Sequence, residues 1–174
     1  MFGRKLLIAL ALLATAADPA VARPRASVAT TPIATLERRP ETRLVMEAYM
    51  PNITRHPAYP RFSGMSLKQL QASDPRLSDP LLARIDAALQ AAETPPSVAT
   101  TPIFLLVGRP ETLAVLDSRL PGLTGHPNYG KFRYLTLKEL QGFDPRITDD
   151  MLAGVQSGLD AIAPADAPAA TKPG

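Results

Sequence analysis

The chain has 174 residues, with 19 Lys and Arg, 16 Asp and Glu, two His and no Cys. Without Cys there are no disulfides, thiolate metal sites, thiol nucleophiles or lipid-modified N-terminal cysteine. Nineteen Pro is about twice average usage, so helices must be short and loops frequent.

Residues 1–22 read as an export signal. Arg4 and Lys5 supply a positive start, and Ala20-Val21-Ala22 fits a small-residue cleavage site, with Ala17 as the competing position. The apolar run from Leu6 to Ala14 is shorter than the roughly 20 residues that span a bilayer. Removal of residues 1–22 takes away Arg4, Lys5 and Asp18 and leaves a net charge of +2. No basic block with interleaved aromatics is present, so a nucleic-acid partner is not expected. No stable membrane span is expected after cleavage. The expected location is periplasmic or secreted. Such a compartment permits disulfides, so packing alone must hold this fold.

The rest of the chain repeats itself. Ser27-Val-Ala-Thr-Thr-Pro-Ile33 recurs as Ser97-Val-Ala-Thr-Thr-Pro-Ile103, and the offset of 70 holds without a gap. Residues 27–92 and 97–162 share 31 identities over 66 positions, which chance does not produce. The expected architecture is all-α, two tandem four-helix repeat units of about 66 residues each, a size able to fold alone. Their bounds are residues 27–93 and 97–163. Pro95 and Pro96 stiffen the linker, and residues 164–174, rich in Ala and Pro, read as a disordered tail.

In each unit the first helix is expected to start with Thr31 or Thr101 as N-cap and Pro32 or Pro102 at the first helical position. The second opens at Pro40 or Pro110, with Glu41 or Glu111 favoured by the helix dipole, and ends before Pro51 or Pro121. A loop of about 15 residues follows. The third helix carries a capping box, Ser66-x-x-Gln69 or Thr136-x-x-Glu139. After an Asp-Pro-Arg turn, the fourth helix starts behind Ser78 or Thr148. Leu82, Ile85 and Leu89, and their counterparts Leu152, Val155 and Leu159, fall on one helical face. Ile33, Leu36, Val45, Met46, Leu67 and Leu70 complete the first expected core. Ile103, Leu106, Val115, Leu116, Leu137 and Leu140 complete the second. Ile103-Phe-Leu-Leu-Val107 has strand propensity, but its counterpart Ile33-Ala-Thr-Leu-Glu37 reads as helix, so both are assigned helix.

Both His sit in the long loop, in Thr-x-His-Pro-x-Tyr-x-(Arg/Lys)-Phe. The candidate ligand-binding residues are therefore His56, Tyr59 and Arg61, with His126, Tyr129 and Lys131. They offer an imidazole, a phenol and a cation to an anionic or sugar-like ligand. The structural alternative is a loop pinned by Tyr59 and Phe62, with His bonded to a backbone carbonyl. Asp74-Pro75-Arg76 and Asp144-Pro145-Arg146 could each form an ion pair or an acid/base site, and read more readily as turns whose Arg reaches the preceding helix end. Lys68 and Lys138 read as a solvated face. One His per unit makes no metal coordination set, and no catalytic constellation or glycine-rich phosphate loop is discernible. No cofactor, catalytic residue or metal ligand is assigned.

The pattern Thr-Pro-Ile-x-x-Leu, then Pro-Glu-Thr-x-x-Val-(Met/Leu), then (Ser/Thr)-Leu-Lys-x-Leu resembles a small helical domain of unknown function associated with hybrid-cluster and redox proteins. It is also similar to modules appended to bacterial extracytoplasmic enzymes, including carbohydrate-active ones. The resemblance implies a helical fold. Members of the first group often carry Cys after the second helix. Neither Ile53–Phe62 nor Leu123–Phe132 has one, so a redox role does not transfer. The expected function is an exported non-catalytic binding or adaptor protein that contacts an extracytoplasmic protein or an envelope glycan. Two linked sites would gain avidity through effective concentration. The alternative is a small periplasmic hydrolase or lyase with His56 or His126 as general base.

Overall fold

The computed structural model describes residues 24–162 and is all-α, with no strand among the described residues. The expected export signal and C-terminal tail lie outside the described residues. The helices of the first half are α1 (Ile33–Arg38), α2 (Pro40–Tyr49), α3 (Tyr59–Phe62), α4 (Leu67–Gln71) and α5 (Asp79–Ala92). Those of the second half are α6 (Ile103–Val107), α7 (Pro110–Arg119), α8 (Tyr129–Phe132), α9 (Leu137–Gln141) and α10 (Asp149–Asp160). Each helix of the second half starts seventy residues after its counterpart.

The long loop is more ordered than its composition implies. It contains a 3-10 turn at Ile53–Arg55 and the one-turn helix α3, so the first half has five helices rather than four. Phe62 anchors this segment, packing edge-on against Tyr59 at 5.6 Å.

Helix α1 starts at Ile33 with no side-chain cap. The Thr31 hydroxyl instead accepts the Ser27 N–H at 2.9 Å, and Thr101 does the same for Ser97. Helix α1 needs no side-chain cap because the Ile33 and Ala34 N–H groups donate to the Met65 and Ser63 carbonyls, both at 2.9 Å. Both capping boxes form as expected, at Ser66 with Gln69 and Thr136 with Glu139. Ser78 and Thr148 cap α5 and α10.

Ile33, Leu36, Val45, Met46, Leu67, Ile85 and Leu89 are fully buried. They form one cluster; Ile103, Leu106, Leu116, Leu137, Val155 and Leu159 form the second. Leu70 and Val115 are only partly buried. Phe104 and Leu105 belong to the first cluster although they come from the second half. The sequence does not announce this crossing, because α6 is apolar around its circumference and its two faces serve two cores.

The junction between the halves is aromatic. Tyr49, at the end of α2, lies 5.8 Å from Phe104 and 5.1 Å from Tyr134. The Arg133 guanidinium stands 5.1 Å from the Tyr134 ring centre, within cation–π range. Gly108 admits Leu44, since a Cβ there would sit 2.9 Å from a Leu44 methyl. Arg109 donates to the Ala92 carbonyl, while Arg39 pairs with Glu93 at 2.8 Å. Two equivalent arginines thus both bond the C-terminal end of α5.

Candidate functional site

The 50–53 turn, the His-Pro loop and the Asp-Pro-Arg turn converge on one open groove of about 580 Å³. Tyr49, Ile53, Phe62 and Leu81 give it an apolar wall, and His56, Asp74 and Arg76 stand along it. The turn that opens it needs a left-handed residue. Asn52 has φ 63 and its counterpart Gly122 has φ 84, and Asn and Gly are the residues that occupy this region most readily.

His56 is exposed, and its ring lies 5.7 Å from Phe62. His126 lies 5.6 Å from Phe132. Neither imidazole bonds a backbone carbonyl, contrary to the structural alternative read from the sequence. His56 Nδ1 accepts the Ala58 N–H at 3.1 Å, and His126 Nδ1 accepts the Asn128 N–H at 3.1 Å. Pro57 and Pro127 bring this backbone round by preventing helix at the His itself. In the neutral ring the remaining nitrogen, Nε2, must then carry the proton, so it is a donor.

Arg76 turns back onto Asp74 rather than onto the preceding helix end. Its Nε and Nη2 donate to the two carboxylate oxygens at 2.9 and 2.8 Å, and its backbone N–H donates at 3.1 Å. Arg146 holds Asp144 in the same way. These charge-assisted bonds hold both carboxyls at a pKa of about 2, from an ordinary value of 3.8.

The candidate residues do not all meet. His56 lines the groove, whereas Tyr59 and Arg61 do not. Burial raises the Tyr59 pKa, and the nearby charge of Glu37 raises it further, which places the phenol toward α1. Tyr129 is likewise raised by burial, and Lys131 is exposed on α8. Lys68 and Lys138 do more than face solvent: they pair with Asp79 and Asp149 at 2.8 and 3.0 Å. The sequence reading missed Tyr49 and the meeting of the His-Pro and Asp-Pro-Arg motifs. The available signal was that both motifs are retained between the halves at the same offset.

Among the described residues, no three His, Cys, Asp or Glu side chains are grouped to hold a metal ion. No described helix is long and apolar enough to cross a membrane. In comparisons with known proteins, no family model, no curated protein and no solved structure matches the chain.

Proposed function

We propose that this chain is an exported, non-catalytic binding or adaptor protein built from two copies of one helical unit, residues 27–93 and 97–163. Its partner is an extracytoplasmic protein or an envelope glycan, and the His-bearing groove is the contact surface. The internal identity and the equal offset of every helix pair support the duplication. The resemblance to helical modules of extracytoplasmic enzymes rests on the quoted motifs alone.

The observation that carries the binding reading is the hydrogen bonding of the imidazole. With Nδ1 accepting the Ala58 N–H, Nε2 of the neutral ring carries the proton, and the ring is part of the groove lining. A general base needs a free lone pair aimed at the substrate, and an acid that orients such a base accepts from the other nitrogen. Here Asp74 is engaged by Arg76. A donor beside aromatic rings suits recognition better than the hydrolase or lyase alternative.

The test uses the exported chain with a photo-crosslinking residue at Ser73, which lines the groove. Envelope proteins and sedimented envelope glycan are the two probes. Capture or co-sedimentation that falls several-fold with His56→Ala and Arg76→Ala supports the reading. Equal recovery by all variants removes the groove from it. Turnover of ester or glycan substrates that disappears with His56→Ala replaces it with the enzyme reading.

A further inference from the structure

Phe143 is 77 % exposed, the most exposed large apolar side chain among the described residues. It is not on a loose loop. Its N–H and that of Asp144 both donate to the Leu140 carbonyl, at 3.0 and 2.9 Å, and Arg146 locks Asp144 just beyond. A rigid turn therefore holds an aromatic ring out in water.

The counterpart of Phe143 is Ser73, which lines the groove of the first half. One half thus presents an apolar groove with a small residue at its edge, and the other presents an apolar knob at the same place. Charge matches the pairing. Asp150 follows the knob in the first turn of α10 and makes no ion pair among the described residues. Beside the groove, Arg55 makes none either, in a recess that also holds Glu37 and the paired Arg43 and Glu47, and His56 adds a donor. Tyr49 belongs to both the groove and the aromatic junction, so a ring seated in the groove would extend a cluster that already joins two helical surfaces.

We propose that a second copy of this chain seats its Phe143 turn in the groove of the first, and receives the reciprocal contact. A knob and a groove on one molecule produce either a closed twofold pair or an open chain, and reciprocal seating gives the pair. This inference does not depend on the partner proposed above, although an external ligand would compete for the same groove.

The experiment is sedimentation velocity on the full exported chain from micromolar to millimolar concentration, with no ligand present. The expected result is a mass that rises toward two chains. Phe143→Ser should weaken association by about tenfold or more, as for loss of an aromatic anchor. Leu81→Glu, which sets a carboxylate in the apolar wall of the groove where the ring would seat, should do the same. Circular dichroism checks that both variants remain folded. Mixing the two variants should restore part of the association, since each retains the half the other lacks. A monomer at every concentration overturns the proposal, as does association that neither variant changes. Masses growing past two chains overturn the closed pair.

Discussion

The Tyr134 hydroxyl donates to the Ala48 carbonyl at 2.9 Å across 86 residues of sequence. This bond ties the loop before α9 to the last turn of α2, beside the Tyr49 and Phe104 rings. The aromatic and apolar residues that make this contact differ from their counterparts in the other half. Phe104, Leu105, Gly108, Arg133 and Tyr134 stand where the first half has Ala34, Thr35, Arg38, Ser63 and Gly64. On the other side, Leu44, Ala48 and Tyr49 stand where the second half has Ala114, Ser118 and Arg119. The contact is head-to-tail, so each half uses a different face, and its unused counterpart keeps small or polar residues.

Tyr134→Phe should cost about 1 kcal/mol, the usual net worth of one hydrogen bond. Tyr134→Gly, which installs the counterpart residue, also removes the ring from Tyr49 and Phe104 and should cost about 3 kcal/mol or more. Urea unfolding measures both. Hydrogen exchange should show the halves opening separately in the Gly variant and together in the parent.

Thr42 is fully buried, and its hydroxyl donates to the Leu36 carbonyl at 2.6 Å. Thr112 does the same for Leu106. Thr→Val at either position keeps the shape but strands a carbonyl at the end of the preceding helix. Each should cost about 1–3 kcal/mol in urea unfolding, with Thr→Ser milder.

Asp74 and Asp144 have a folded pKa of about 2, below the ordinary 3.8. A carboxyl depressed on folding contributes stability above its unfolded pKa and loses it as pH falls toward the folded value. The urea midpoint should therefore decline between about pH 4 and pH 2. The double variant Asp74→Asn, Asp144→Asn should start lower at neutral pH and decline less over that window. Added salt should shrink the difference, because these ion pairs lie at the surface.

Gly122→Ala should lower stability by about 1–2 kcal/mol, since φ 84 is a left-handed conformation that a Cβ opposes. A Cβ built there meets nothing within 4 Å, so crowding adds no cost. Asn52→Gly should change the thermal midpoint little, because Asn already tolerates this region. Thermal melts of the two variants check the contrast.

Ser66→Ala and Thr136→Ala should each cost about 1 kcal/mol, because both capping boxes form with the side chain and the reciprocal bond in place. Equilibrium unfolding of the single variants and their combination measures it, and the two effects should add if the boxes act independently.

Much of the fold was legible because its signals are local. Prolines at helix starts, the two capping boxes and the apolar spacing of α5 and α10 act over a few residues and read directly from the chain. Thr31 misled for the opposite reason: α1 satisfies its first N–H groups with carbonyls some thirty residues on, which no local pattern encodes.

The candidate site was only half legible. His56 was found as a residue type in a retained motif, but its use of Nδ1 to accept from Ala58 was not, since the path of the backbone around Pro57 decides it. The sequence by itself determined the helical class, the internal repetition at an offset of 70 and the starts of four of the five helices in each half to within a residue or two. Only the tertiary structure decided that Phe104 and Leu105 enter the first core, that Tyr49 joins groove to junction, and that Asp74 and His56 share a groove. Those relationships join residues far apart in the chain. They arise when apolar faces are buried together, a process that selects partners by shape rather than by sequence distance.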